Sequence, residues 1–378
     1  MKIDISKILT PDINFIFEKV DKIMIVGGAV RDLIAFGAVN EDIDFATPLH
    51  PNEIKNIFLQ YKSWTVITAG EKFGSIVVLN KKSNKTYDIT TLRSDINTDG
   101  RHAEVIFDAT FESDSKRRDF TINSLYLDRD GSVYDFNNGL QDLHDKKVRF
   151  IGNAETRINE DYLRIMRFFR FSAKFGGYLD NEGFVACKKL ANNIVKISKE
   201  RFTSELVGIA KGIFGNEMLA RMQEIGLFFW LHNTSILYDR LLVKDKKITK
   251  QQIITMLFND EKNLTQLDLT KNEIQFIKFC WQNDILNWSQ ITKQNKLLAL
   301  NCDKLMLQNA LQINEHLSQK DKDFLLNIPP LPINGNDLLA INIESKQIGL
   351  NLKKACEMWV DGDFKYHKEM ILFLISSK

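Results

Sequence analysis

The stretch from Ile23 to Ala46 constrains the fold more than any other part of the chain. Ile23 to Val26 is a short apolar run ending in Gly27-Gly28, the pattern of a buried strand closing on a turn where backbone can approach a ligand. A helix carrying Arg31 is expected from about Val30. A second strand should then hold Asp42 and Asp44, because Ile43, Phe45 and Ala46 suit a strand and period two puts both carboxylates on one face. Asp is depleted in strands and like charges repel, so the pair makes chemical sense as ligands of a divalent cation such as Mg²⁺. Either half alone is more often structural than catalytic. Together, within the 22 residues from Ile23 to Asp44, they suit a nucleoside triphosphate, with glycine amides and Arg31 on phosphates and the acids on metal.

At 378 residues the chain is too long for one ordinary core, and two to four modules are expected. No apolar run reaches the roughly eighteen residues that a membrane span needs. Met1 to Thr10 has neither a signal-peptide core nor an Arg-rich transit pattern, so the expectation is a cytoplasmic chain with no membrane partner. Cys187, Cys280, Cys302 and Cys356 are far apart and form no C-x-x-C, which argues for buried thiols rather than a zinc knuckle or disulfide framework. Residues 1–150 hold 20 Lys and Arg against 23 Asp and Glu, a net of −3, while 151–378 hold 31 against 26, a net of +5. An acidic head with a basic remainder suits an enzyme acting on a polyanion, although a solvated surface explains it nearly as well.

From Trp64 to Asp128 the pattern stays strand-like, with runs at Trp64 to Thr68, Gly74 to Leu79, Thr86 to Leu92 and Thr121 to Leu127, and a helix at Asn52 to Tyr61. The expected fold class is α+β: a small head with a mixed sheet of about five strands and helices on one side, followed by all-α neck, body and tail. Alternation places Asp88 on one face with Thr86 and Thr90, which makes it a candidate third acid beside Asp42 and Asp44. After the turn Asn137-Asn138-Gly139, strand signals nearly vanish until the end of the chain, with Pro329-Pro330 and Pro332 as the main breakers. The expected divisions are a head at 1–150, a neck at 151–210, a body at 211–327 and a tail at 328–378.

Three further stretches carry chemistry. Lys116-Arg117-Arg118-Asp119 is a run of cations that makes an anion site, with Asp119 placed to orient a guanidinium or accept from a ribose hydroxyl. In Asn159 to Arg170, Asn159 is read as an N-cap and Glu160 and Asp161 as the first helical turn, which puts Asp161 and Arg164 on one face. An ordinary helix salt bridge is the plain alternative. Yet Arg164, Arg167 and Arg170 recur every third residue, and such charges repel unless acids or an anion compensate. A fixed carboxylate accepts from the exocyclic amine of cytosine or adenine while a fixed Arg donates to the neighbouring ring nitrogen. Guanine and uracil present a carbonyl and a ring N–H at those places, so Asp161 with Arg164 would select C and A without a template. The segment Arg93 to Asp114, with Asp99-Gly100-Arg101-His102, reads as a long mobile loop in which His102 is a loop residue rather than a base or ligand.

With these residues in view, the chain resembles the class II tRNA nucleotidyltransferases, the bacterial CCA-adding enzymes of the poly(A) polymerase family. Gly27-Gly28-Ala29-Val30-Arg31-Asp32 with Asp42-Ile43-Asp44 is similar to the family's metal-holding motif, and Arg117-Arg118-Asp119-Phe120-Thr121-Ile122-Asn123 to its ribose motif. Asp135 to Gly139 resembles the hinge between head and neck, Glu160-Asp161-x-x-Arg164 the amino-acid template for the base, and Glu200-Arg201-Phe202-x-x-Glu205-Leu206 a motif that steadies the neck. The resemblance is strong over Ile23 to Leu206 and weak in the tail. It implies a polymerase-β-like nucleotidyltransferase head, two Mg²⁺ ions at Asp42 and Asp44, and nucleotide contacts from Gly27, Gly28, Arg31, Arg118, Asp119, Asp161, Arg164, Arg167 and Arg170. The implied activity is addition of C, C and A to the tRNA 3′ end from CTP and ATP, by a tail-gripped tRNA substrate and a monomer or homodimer. An A-adding enzyme with a separate C-adding partner and a poly(A) polymerase are the alternatives within the family. The Arg93 to Asp114 segment disfavours C-only addition, and the short C-terminus disfavours poly(A) synthesis.

Overall fold

A computed structural model of the chain describes residues 1–38, 42–98, 103–176, 178–231, 236–241 and 248–377, with backbone alone for 94–98, 103–106 and 240. A first helix, α1 (Pro11–Lys19), is capped by the Thr10 side chain and starts with a proline whose missing N–H costs a helix start nothing. Strand β1 (Met24–Val26) follows and runs into Gly27, whose φ of +72° favours glycine and lets the chain double back into α2 (Gly28–Phe36). Next come β2 (Asp44–Thr47), α3 (Pro51–Leu59), β3 (Trp64–Ile67), β4 (Ser75–Asn80) and β5 (Lys85–Thr91). A separate hairpin, β6 (Ser94–Thr98) with β7 (Ala103–Ile106), leads to α4 (Phe111–Lys116), β8 (Leu125–Leu127), β9 (Val133–Asp135) and α5 (Gly139–His144).

The sheet has seven strands in the order β3-β4-β5-β2-β1-β8-β9. It is mixed as expected, since β2 runs parallel to β5 and antiparallel to β1, but it is wider than about five strands. β8 falls within the expected Thr121 to Leu127 run, while β9, three residues long, is too short to announce itself by alternation. Strand β1 sits between β2 and β8 with Ile25 fully buried, and Phe45, Ile76, Val78 and Ile89 add to the same core. Each such side chain contributes roughly 1.5–3 kcal/mol by leaving water, which outweighs the repulsion of acids placed at the sheet's edge of the cleft.

The sequence reading fails at three places in this unit. Arg93 to Asp114 is not one loop: it holds the β6–β7 hairpin and most of α4, while residues 99–102, including His102, lie outside the described residues. Thr121 to Leu127 is a 3-10 turn at Thr121–Asn123 before the short β8, because Ser124 and Asn123 turn the backbone back on Thr121 and Phe120. The neck helix does not begin at Asn159. Asn153 caps α6 (Ala154–Glu160), the chain opens to an extended conformation at Asp161 (φ −155°, ψ 109°), and α7 (Leu163–Phe175) starts afresh.

The neck continues with α8 (Asn181–Leu190), α9 (Lys199–Ala210) and α10 (Gly215–Glu224). Phe168 and Phe169 of α7 are fully buried, and Phe120 and Phe150 of the head stack around Phe168. The chain divides into two compact units, Met1–Ile236 and Leu237–Lys378. The second is helical throughout its described residues. Its tail core gathers Leu338, Ala355, Trp359 and Ile371, and the Trp359 indole N–H donates to the Pro329 carbonyl at 3.2 Å.

Candidate active site

A cleft of about 620 Å³ in the first unit is walled by the head on one side and the neck on the other. On the head side, Gly27 and Gly28 line the cleft; the Gly27 amide is taken by the Leu125 carbonyl at 3.0 Å, so the amides free for an anion are those of the first turn of α2, from Gly28 on. Asp42 and Asp44 line it as well and are exposed, while Ile43 between them is 8% exposed; only Asp44 lies in β2, and Asp42, expected in the same strand, stands just ahead of it. Asp44 lies beside Asp88 in the parallel β2–β5 register. Asp88 is half-buried, accepts from the Ser75 hydroxyl at 2.5 Å, and stands next to the cleft rather than among the residues lining it.

Arg31 projects from the first turns of α2 into protein. Its Nε donates to Asp32 at 2.9 Å, a terminal nitrogen donates to Asn123 at 2.5 Å, and the rings of Phe171 and Phe175 lie 4.9 and 4.7 Å from the guanidinium carbon. Arg117 and Arg118 are held by one carboxylate, Asp114, at 2.8 and 3.0 Å, and the Tyr126 hydroxyl donates to the same group at 2.7 Å. Burial alone would raise the Asp114 carboxyl, but Arg118 and Arg117 beside it hold it below the ordinary carboxylate range.

On the neck side every charged group in the cleft has a fixed partner. Arg167 donates to Asp119 at 2.6 Å, and Asp119 also accepts from Asn123 at 3.0 Å and the Phe120 amide at 2.9 Å. Burial pushes the Asp119 carboxyl up, yet the Arg167 charge and these hydrogen bonds leave it below its ordinary value. Arg170 donates to Glu205 at 2.6 Å, and Gly208 is what makes room, since a Cβ there would lie 2.6 Å from the Arg170 side chain. Asp161 and Arg164 both line the cleft but do not pair with each other. The Asp161 carboxylate accepts from Arg201 at 2.7 Å and from the Leu163 amide at 3.0 Å, and Arg164 is pinned by Glu160 and the Arg157 carbonyl. The break between α6 and α7 causes this. It removes Asp161 from the helical face of Arg164 and sets it at the mouth of a new helix.

The electrostatics of the two walls differ. Water withdrawn by the surrounding protein pushes the Asp44 carboxyl up, Asp88 and Asp42 add like charge, and Arg118 pulls the other way. Among the described residues no ion pair joins Asp42 or Asp44 to a cation. Nor does any group of three ionisable ligands among them form a ready cage. Two cleft-facing carboxylates with no ion-pair partner among the described residues fit a hard divalent cation of the Mg²⁺ type, which binds through one or two carboxylates plus substrate phosphates rather than a full protein shell.

All the nucleotide and metal candidates read from the sequence, Asp88 apart, therefore line one cleft. The reading missed Lys174, Asn123 and Arg201 as lining residues, and Asp114 and Glu205 as the anchors of Arg118 and Arg170. Lys174 extends the three-residue cation spacing of α7 by one irregular step, and Glu205 lies four residues beyond Arg201 on α9. Those spacings are signals, though pairing across elements is legible only in three dimensions.

Residues 23–149 match the family described as the Poly A polymerase head domain. The chain is 34% identical over 384 residues to the human CCA tRNA nucleotidyltransferase 1, mitochondrial, covering 94% of this chain and 86% of that one. It is 35% identical over 260 residues to the CCA-adding enzyme of Leuconostoc citreum, covering 68% and 62%. In fold it is similar to the Bacillus stearothermophilus CCA-adding enzyme in complex with CTP, with a TM-score of 0.78, 22% identity and 98% of both chains covered. The Thermotoga maritima CCA-adding enzyme complexed with tRNA gives a TM-score of 0.71 at 20% identity, covering 98% and 96%.

Proposed function

The chain belongs to the CCA tRNA nucleotidyltransferases, and from that premise we propose how its residues divide the reaction. It adds C, C and A to the 3′ end of tRNA from CTP and ATP and releases pyrophosphate. Asp42 and Asp44 hold Mg²⁺, two ions in this reading, with Asp88 as a third carboxylate behind Asp44. The bound metal supplies a lowered pKa at the attacking 3′-hydroxyl and neutralises charge on the departing pyrophosphate.

The protein does the rest by position. The Gly28 amide receives a phosphate oxygen at the positive end of α2, where Gly27 leaves room by carrying no side chain, with Arg31 buried behind as a fixed charge. Arg118, steadied by Asp114, faces the phosphates from the other side, and Asp119 with Asn123 stands at the ribose. Asp161 accepts from the exocyclic amine of C or A, and Arg164 donates to the adjacent ring nitrogen. Arg167, tied to Asp119, keeps that pair in register with the head, and Arg170, tied to Glu205, braces α7 against α9. Each locked partner limits reorganisation when the nucleotide arrives, which is where such sites gain their selectivity.

The single observation that carries the reading is that two carboxylates without an ion-pair partner among the described residues and a separately clamped Asp161 and Arg164 open onto one cleft. The division into head, neck, body and a tRNA-gripping tail is part of the same proposal. So is a cytoplasmic location, which four free cysteines support by fitting a reducing compartment. Among the described residues, no helix is long and apolar enough to cross a membrane. The test is extension of tRNAs lacking CCA, ending in one C, or ending in CC, with Mg²⁺ and CTP and ATP offered singly and together. Complete CCA on the shortest tRNA is expected. Extension of only the CC-ending tRNA would make this an A-adding enzyme.

A further inference from the structure

Lys174 lines the cleft and has no part in the scheme above. It sits near the C-terminal end of α7, and its ammonium donates to Asp32 Oδ2 at 2.8 Å. The same Asp32 accepts from Arg31, so a single buried carboxylate faces two cations, with Arg170 adding a third to the local field. The cluster carries surplus positive charge beside the opening of α2.

The two cations are not equivalent. Arg31 is 5% exposed, donates from Nε and both terminal nitrogens to Asp32 and Asn123, and is flanked by Phe171 and Phe175. It has little left to offer a ligand. The Lys174 side chain is 35% exposed, and an ammonium carries three donors of which Asp32 takes one. Phe36 and Phe175 lie 5.6 and 5.0 Å from its nitrogen and steer it along the cleft wall. Burial pulls its pKa down from the ordinary lysine value, as expected of a cation held partly out of water beside Arg31.

We propose that Lys174 is a binding residue for the β- and γ-phosphates of the incoming nucleotide, the pair that leaves as pyrophosphate, with Arg31 acting as the anchor behind it. The inference rests on the nucleotidyl-transfer reading and names one further residue in it. Asp32 is then the resting partner from which the ammonium reaches a phosphate, sharing its donors between the two acceptors.

The experiment is equilibrium titration of the full chain with CTP, CMP and inorganic pyrophosphate, comparing wild type, Lys174→Gln and Lys174→Arg. Glutamine still donates to Asp32 but has no charge. Its expected effect is a loss of about tenfold or more in affinity for CTP and pyrophosphate, the size of one charge-assisted hydrogen bond, with CMP affinity unchanged. Lys174→Arg should restore both. Equal weakening of CTP and CMP, or no change in either, would overturn the assignment and leave Lys174 as a clamp on Asp32. A measurement on the wild type alone guards against misfolding of the variants: pyrophosphate should shield Lys174 from an amine-acylating reagent and CMP should not, and shielding by neither contradicts the proposal. If the wild type bound these ligands yet extended no tRNA, the functional reading would fail while the Lys174 result stood.

Discussion

The two walls of the cleft are made of the same kinds of residue and handle charge in opposite ways. On the head wall Asp42 and Asp44 face solvent without an ion-pair partner among the described residues, and Asp44 is pushed up by crowding and by its acidic neighbours. On the neck wall Asp161 and Glu205 are each bound to an arginine, and the neck's Arg167 clamps Asp119 of the head and holds it below its ordinary value. The head stores unfavourable charge that a metal can relieve. The neck has already satisfied its charge within the protein, so its geometry is set before any base arrives. Chemistry needs the first arrangement and selection needs the second.

The sharpest way to break this comparison is to remove the head acids. Asp42→Asn with Asp44→Asn should lower the transfer rate on the order of 10³-fold or more while the melting temperature at neutral pH stays level or rises. A folded double variant with near-normal rate would end the metal-holding assignment. The acids clamped by neck arginines should behave in the reverse sense. Asp119→Ala leaves the Arg167 guanidinium without its buried partner and should cost about 3 kcal/mol in denaturant unfolding. A cost under about 0.5 kcal/mol would mean that the pair is ornamental.

The pH dependence sharpens the same contrast. Asp114 and Asp119 have depressed values in the fold, so their stabilisation is present above the unfolded carboxylate value of about 4 and is lost as pH falls through the lower folded value. Asp44 has a raised value, so its ionisation costs stability above that value and the cost is relieved as pH falls. Acid titration of the melting temperature should therefore be flatter in Asp119→Asn than in wild type. A steeper curve would contradict the sign. The smallest expected effect is at Arg201. Replacing it with Met frees the Asp161 carboxylate and should weaken the choice of C over U by roughly fivefold, about 1 kcal/mol, with tRNA binding unchanged.

Much of the head wall was legible because its signals are local. The run into Gly27-Gly28 and the alternation around Ile43 depend on neighbours in sequence, and β1, α2 and the exposure of Asp42 and Asp44 on either side of buried Ile43 follow from them. The neck wall was legible in composition and not in geometry. No glycine or proline marks the break at Asp161, and Asn159-Glu160 ends one helix where it reads as the start of another. The partners that fix the neck come from far along the chain, as Arg201 does to Asp161 and Glu205 to Arg170, and helical spacing carries no trace of such pairings. The β6–β7 hairpin was missed because β6, Ser-Asp-Ile-Asn-Thr, is mostly polar, β7 is only four residues long, and the two strands pair with each other apart from the main sheet.

The central claim is that the head performs the transfer and the neck chooses the base. Its most direct test is the ratio of CTP to UTP incorporation on tRNA lacking CCA, measured for wild type, Asp161→Ala and Asp44→Asn. The account predicts that Asp161→Ala lowers the ratio by about 10- to 100-fold with CTP still added, and that Asp44→Asn lowers the rate with both nucleotides and leaves the ratio in place. An unchanged ratio in Asp161→Ala, or a ratio that collapses in Asp44→Asn, would contradict it.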